Sequence, residues 1–253
     1  MATEPKLVLY PPKKHLDDKF LELAKKASSA TISGRLSRMG FRFVYMAQVL
    51  PLKPGTVVAG RAYTLRYLPR WDDFSTWPLG EERHKYPEHV AVESVGPGDV
   101  LVIDARGNID AGVFGDRLVT RMQYRGAAGL VTDGAIRDVP FMKDMDFPIF
   151  VRAPHGYYHL AEHWAMDVQL PISCGNVAVF PGDLVVGDDD GVVIVPQAIA
   201  EDVIKESIAQ EEIETFTREL FEKGYSVNDL HGTLPPDLQA EYDRWRQARG
   251  LSG

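Results

Sequence analysis

One cysteine, Cys174, in 253 residues excludes an internal disulfide framework and a thiolate metal cage. A buried, small apolar role suits that residue better than a nucleophile's. The chain has no apolar run long enough to span a membrane, and its start, Met1-Ala-Thr-Glu-Pro-Lys, has no signal-peptide core. A cytoplasmic location with no membrane partner is therefore the default expectation. Basic residues are the minority: 28 Lys and Arg against 36 Asp and Glu leave a net charge of −8, which argues against nucleic-acid binding through a basic face. Neither a P-loop nor a dinucleotide fingerprint occurs, so a phosphate-binding enzyme is disfavoured. What remains, with 45% hydrophobic residues, is a globular chain better explained by one elaborated domain with long extensions than by two full domains.

The chemistry concentrates between Gly115 and Asp138, in G-D-R-L-V-T-R-M-Q-Y-R-G-A-A-G-L-V-T-D-G-A-I-R-D. Leu118, Val119 and Met122 fall at helical spacing over Asp116–Tyr124, with Asp116 in the first turn. The amides of Asp116, Arg117 and Leu118 would then lack intrahelical partners and suit an anion. Ala127–Thr132 reads as a short buried strand, Asp133-Gly134 as a turn, and Arg137-Asp138 as the end of a further strand. Alternation of strand and helix predicts parallel strands whose loops meet at one edge. Arg137 can grip a carboxylate with two parallel hydrogen bonds, and Asp138 can hold a hard cation. A structural Arg137–Asp138 ion pair with Asp116 as a mere cap is the plainer explanation of an isolated pair. The helix start and the spacing together favour a site for a 2-oxo acid and a divalent metal.

Around this run, Leu16–Met39 reads as helix with a break near Ser28-Ser29 and a second helix over Ala30–Arg38. Val49–Leu68 reads as strands. Residues 67–89, with Trp71, Trp77, His84 and His89, show no periodicity and read as a long inserted loop, either a lid or a subunit-contact arm. Val95–Asp104 and Val179–Asp188 echo each other as a Pro-Gly-Asp turn feeding an apolar strand that ends in Asp. Gly191–Pro196 is a buried strand, and Ala198–Lys223 is an amphipathic helix closed by Gly224. The tail, 225–253, carries a short helix over Leu238–Arg249.

The chain resembles the RraA-like family, which includes the regulator of ribonuclease E activity A and class II aldolases acting on 4-hydroxy-4-methyl-2-oxoglutarate and 4-carboxy-4-hydroxy-2-oxoadipate. The resemblance rests on Asp116 followed, after twenty residues, by Arg137-Asp138. It rests also on Arg125-Gly126-Ala-Ala-Gly129, Asp133-Gly134-Ala-Ile-Arg137-Asp138-Val139 and Gly187-Asp-Asp-Asp-Gly191-Val-Val-Ile-Val-Pro196, and it extends over about Ala30–Gly224. It implies an α/β fold of stacked β, β and α layers, the swivelling type, over residues 1–224, with N-terminal helices and a C-terminal helical extension at 225–253. It implies assembly as a homotrimer or homohexamer.

For the site, the resemblance implies that the turn Gly115, Asp116, Arg117 and Leu118 binds pyruvate through backbone amides. Arg137 contacts substrate and enolate, Asp138 ligates Mg²⁺ or Mn²⁺, and Asp116 holds a metal-bound water or relays protons. Glu214 aligns with an acidic residue that completes the site from a neighbouring subunit, and a solvated helix face is its plainer role. The aldolases carry an acidic residue three positions after the Arg-Asp pair; here Phe141 stands there, and Asp144 and Asp146 follow. His155 and His159 are extra acid–base candidates, with a loop histidine bonded to backbone as the ordinary alternative. Lys143 reads as a solvated surface lysine, since a metal-dependent route needs no Schiff base. The expected function is a metal-dependent lyase on 2-oxo acids, acting by retro-aldol cleavage or oxaloacetate decarboxylation. The alternatives are a dehydratase or isomerase of sugar-derived acids in the same site, or a non-catalytic regulatory binder.

Overall fold

The computed structural model describes residues 15–70, 81–230 and 234–251. Helix α1 (Asp18–Ala24) begins where the Asp17 carboxylate accepts the Phe20 amide at 2.8 Å. Helix α2 (Ser29–Arg38) begins where the Ser28 hydroxyl accepts the Thr31 amide at 3.1 Å, so the break expected at Ser28-Ser29 is a helix cap. Short strands β1 (Tyr45–Met46) and β2 (Leu50–Pro51) precede the long β3 (Val58–Pro69). Then come α3 (Pro87–Ser94), β4 (Asp99–Asp104), β5 (Gly112–Phe114), α4 (Asp116–Tyr124), β6 (Gly129–Thr132), β7 (Ala135–Ile136) and α5 (Val139–Met142). Strands β8 (Ile149–Val151), β9 (Ala153–Pro154), β10 (His163–Val168), β11 (Ile172–Cys174), β12 (Val177–Val179), β13 (Leu184–Asp188) and β14 (Gly191–Val195) lead to α6 (Ala200–Glu222) and α7 (Pro236–Ala248).

The main sheet runs β1-β14-β13-β3-β4-β6-β8-β2, with β10 pairing the far end of β3. Strands β3, β4, β6 and β8 are parallel neighbours, as the alternation of strand and helix predicts. The two echoing turn-strand units, ending in β4 and β13, flank β3 on opposite sides, one parallel and one antiparallel.

Period-two alternation assigns each face of this sheet to its own layer. Leu101 and Ile103 of β4 join Val119 and Met122 of α4 and Ala91 and Val92 of α3, while Val100 and Val102 join Ile172, Cys174, Val177 and Val179 of the β11–β12 hairpin. Farther along, Val193 and Val195 of β14 pack under α2 and α6 through Ile32, Leu36, Val203 and Ile204. The result is a β/β/α layered α/β fold, as expected. Cys174 is buried in the hairpin, its thiol directed to the Ile103 carbonyl at 3.3 Å, and burial pushes its pKa well above the ordinary value.

The loop expected over 67–89 is shorter than its sequence suggests. Strand β3 continues to Pro69 because Leu65–Pro69 pairs with β10, about a hundred residues downstream, and Tyr67 is fully buried there. At the other end, Pro87 opens α3, where its missing amide hydrogen costs nothing. Trp71 and Trp77 lie outside the described residues. At the C-terminal end, Leu238, Tyr242 and Trp245 of α7 pack on Phe216 and Leu220 of α6, and the Trp245 indole donates to Glu219 at 2.9 Å.

Candidate active site

Each of the three parallel strands β4, β6 and β8 continues, past a short break, into a strand of a second parallel sheet, ordered β5-β7-β9. This small sheet sets the site, because its carboxyl ends release three loops on one side. Gly115 and Asp116 follow β5, Arg137 and Asp138 follow β7, and the segment with Tyr158 and His159 follows β9. Together with Glu88 and His89 of α3 these residues line a cavity of about 630 Å³.

The Gly115–Leu118 wall is a helix start. Gly115 is extended, at φ −125° and ψ 175°, and its carbonyl accepts the Val119 amide at 3.3 Å. The sequence predicts that three first-turn amides await an anion; the structure corrects this. The Arg117 amide donates to Asp116's own carboxylate at 2.7 Å, because that short side chain folds back over the turn. The first-turn geometry leaves the amides of Asp116 and Leu118.

Arg137 and Asp138 are held against this turn. The Arg137 amide donates to the Phe114 carbonyl at 2.9 Å, which fixes the end of β7 beside the end of β5. Asp138 is left-handed, at φ 63° and ψ 29°, a conformation that Asp and Asn tolerate better than other side-chain-bearing residues. That bend brings the Asp138 carboxylate over Gly115: a Cβ built on Gly115 would lie 2.5 Å from Asp138 Oδ2. A glycine is needed there for the carboxylate's sake. Arg137 Nε sits 3.2 Å from Asp138 Oδ2, so the plain ion pair exists, but at a cavity wall with both side chains about one-third exposed. The Arg137 guanidinium also lies 5.9 Å from the centre of the Tyr158 ring.

The other part of the lining is buried. His159 Nε2 approaches Glu88 Oε2 to 3.2 Å, with side-chain exposures of 6% and 3%. Tyr158 stacks at a tilt on His159, ring centres 4.6 Å apart, and Tyr67 meets His159 edge-on at 6.2 Å. Burial pushes the Glu88 carboxyl up from 4.5 to about 8, opposed by the Tyr67 hydroxyl beside it. Burial, with the charges of His163, Arg137 and His89, drives the His159 imidazole down to about 3. Near neutrality the pair is therefore a carboxylic acid against a neutral imidazole, rather than an ion pair.

The structure thus gathers Gly115, Asp116, Arg117, Leu118, Arg137 and Asp138 in one cavity and adds His159 from the two candidate histidines. His155 is exposed, its Nδ1 accepting the Tyr157 amide at 3.2 Å, which is the ordinary loop role. Glu214, on α6, accepts from Gln210 at 3.0 Å and does not line the cavity. Phe141 points to solvent at 69% exposure, and Asp144, Asp146 and Lys143 also lie away from the cavity lining. Glu88, Tyr158 and the β5 residues Gly112, Val113 and Phe114 line the cavity without having been revealed by the sequence, and His89 was noted only as part of the 67–89 loop. The only signal for Glu88 was its place just after Pro87, at a helix start.

Among the described residues, no three His, Cys, Asp or Glu side chains converge as a metal cage. Asp138 and Asp116, at one cavity wall, fit instead a hydrated hard cation that takes one or two carboxylates and fills its shell with water and substrate.

A model of the RraA-like family, described as Aldolase/RraA, matches residues 29–194. The chain belongs to the RraA-like family. It is 34% identical to the crystal structure of Streptomyces coelicolor RraAS2, described as an unusual member of the RNase ES inhibitor RraA protein family. That match covers 80% of this chain and 98% of the other, with a TM-score of 0.73. A Halalkalibacterium halodurans protein named provisionally as a 4-hydroxy-4-methyl-2-oxoglutarate aldolase is 40% identical over 117 residues, 46% of this chain and 55% of that protein. Legionella pneumophila protein DlpA is 30% identical over 182 residues, 72% of this chain and 28% of that protein. The chain thus spans about half or less of these two curated relatives. Among the described residues of this RraA-like chain, no helix is long and apolar enough to cross a membrane.

Proposed function

We propose that this RraA-like protein is a divalent-metal-dependent lyase of 2-oxo acids, cleaving 4-hydroxy-2-oxo acids to pyruvate, decarboxylating oxaloacetate, or both. The observation that carries the reading is the shared wall of Gly115–Leu118, Arg137 and Asp138, with the carboxylate of Asp138 seated on Gly115. The substrate carboxylate takes the first-turn amides and Arg137. Asp138, with Asp116 nearby, would hold Mg²⁺ or Mn²⁺, which supplies Lewis-acid polarisation of the 2-oxo group. Arg137 faces the oxygen on which charge develops as the bond to C3 breaks, and it stabilises the enolate. In aldol cleavage the Asp116 carboxylate, directly or through a water it holds, takes the C4 hydroxyl proton. Cleavage and decarboxylation share the enolate, so the same residues serve both.

The spacing of Asp116 to Arg137-Asp138, in a chain whose relative from Halalkalibacterium carries a provisional aldolase name, supports the lyase over a purely regulatory binder. A trimer or a pair of trimers belongs to the same reading, with Glu214 of a neighbouring copy at the rim. Sedimentation of the native protein tests that assembly.

The functional test is a panel of oxaloacetate and 4-hydroxy-2-oxo acids, assayed with Mg²⁺ and with EDTA. Metal-dependent release of pyruvate is expected. A product that keeps every carbon would transfer the site to the dehydratase or isomerase of sugar-derived acids, for which a cavity of about 630 Å³ also leaves room. Absence of turnover in folded, oligomeric protein would leave the regulatory binder.

A further inference from the structure

The enolate of the proposed reaction needs a proton at C3 before it leaves as pyruvate; in decarboxylation no C4 hydroxyl supplies one, and Arg137 and Asp138 are a guanidinium with a carboxylate beside it. The buried part of the lining offers one. Glu88 stands in the first turn of α3, lines the cavity, and is buried against His159 at 3.2 Å. Glu88 Oε2 makes no well-directed hydrogen bond among the described residues. A carboxyl held in the hydrophobic layer, with the Tyr67 hydroxyl and a neutral His159 ring beside it and no cation there among the described residues, is kept as an acid rather than as an anion. From Arg137 a run of contacts passes through the Tyr158 ring to His159 and on to Glu88, and Glu88 and Arg137 line the same cavity.

We infer that Glu88, oriented by His159, is the acid that delivers the C3 proton to the enolate; the inference rests on the lyase reading above. When the bond from C3 breaks, its electron pair becomes the enolate, with charge on the C2 oxygen. That pair then takes the Glu88 proton at C3, the C2 carbonyl re-forms, and the Glu88 carboxylate regains a proton from solvent. In aldol cleavage the proton from the C4 hydroxyl offsets the one taken up; in decarboxylation one solvent proton is consumed as CO₂ leaves. Glu88 touches the reacting carbon and is catalytic in this sense. His159 is a positioning residue. The groups facing the pair are Tyr67 from β3, Tyr86 and His89 at α3, His163 from β10, Tyr158 stacked on His159, and Arg137 after β7. None of them is a carboxylate, so a titration of the pair near pH 8 belongs to Glu88.

The test is exchange of the pyruvate methyl protons in D₂O with Mg²⁺, followed by proton NMR for wild type, Glu88→Gln and Glu88→Asp. Wild type is expected to exchange, Glu88→Gln to lose about 10²-fold while still binding pyruvate, and Glu88→Asp to recover part of the rate. Exchange starts from the Glu88 carboxylate, so in wild type it rises with pH and levels off above about 8. Formation of the keto product needs the acid and falls over the same range. His159→Gln should move both limbs together. Exchange in Glu88→Gln at the wild-type rate overturns the inference and leaves the lyase standing, as does a wild type with no inflection near pH 8 in either limb. No exchange in wild type, with pyruvate bound, overturns the enolate itself and the inference with it.

Discussion

The two walls of the cavity are built on opposite principles. The Gly115–Leu118 and Arg137–Asp138 wall is polar, partly exposed and made of two segments close in sequence: one helix start and one strand end, brought together by the neighbouring strands β5 and β7. The Glu88–His159 wall is buried and made of distant chain, a helix at residue 88 and a loop at residue 159 joined across 3.2 Å. The first wall keeps charges in reach of water, as the proposed cation and carboxylate substrate would require. The second removes charge: burial holds Glu88 protonated and His159 neutral. A site that makes an anion and then quenches it needs both.

Breaking the first wall should have the largest effect. Arg137→Ala is expected to cut turnover by about 10²–10³-fold with little loss of thermal stability, since the side chain is one-third exposed; steady-state kinetics and a melting curve check it together. Next is Asp138→Asn, which keeps the left-handed backbone at φ 63° and removes only the charge. The response of turnover to added Mg²⁺ should weaken by about 10²-fold, read from a magnesium titration. Gly115→Ala displaces the Asp138 carboxylate by steric contact alone. A shift of about 1 Å at a reacting group costs up to about 10²-fold, so this variant should fall short of Asp138→Asn in its effect, with the metal requirement retained.

The smallest effect sharpens the second wall. Glu88 has its pKa raised on folding, from 4.5 to about 8. Its contribution to stability is therefore fully present below about pH 4.5 and lost as pH rises through about 8. Melting temperatures of wild type should fall relative to Glu88→Gln between pH 6 and 8.5, by a few degrees at roughly 2–4 °C per kcal/mol for a chain of this size. Parallel melting curves across that range would show that Glu88 is not buried as an acid.

The same contrast decides what could be read in advance. The helix at Asp116, the strand at Gly129 and the pair Arg137-Asp138 were legible because each is local: helical period, strand period, a spacing; the β/β/α layering followed only from the family resemblance that these motifs carry. The fate of the Arg117 amide was not, because a one-residue fold-back by Asp116 leaves no periodic trace. Glu88 was invisible for a longer-range reason. Its burial depends on β3 extending to Pro69 and pairing with β10, with a register shift between Ala165 and Asp167, and on Tyr67 entering the core. The sequence around Tyr-Pro-Glu-His shows only polarity. His159 was noticed as a histidine, but its partner, and hence its protonation, came only with the fold. Glu214 hydrogen-bonds within α6, and a role at a neighbouring copy's rim is a property of the assembly.

The central claim is that one wall makes the enolate and the other quenches it. The most direct measurement is oxaloacetate decarboxylation with Mg²⁺, above the uncatalysed background, counting CO₂ and keto-pyruvate in one time course. Wild type should release them together, Arg137→Ala should release neither, and Glu88→Gln should release CO₂ ahead of keto-pyruvate as enol escapes. Undiminished release of both by Arg137→Ala would contradict the account.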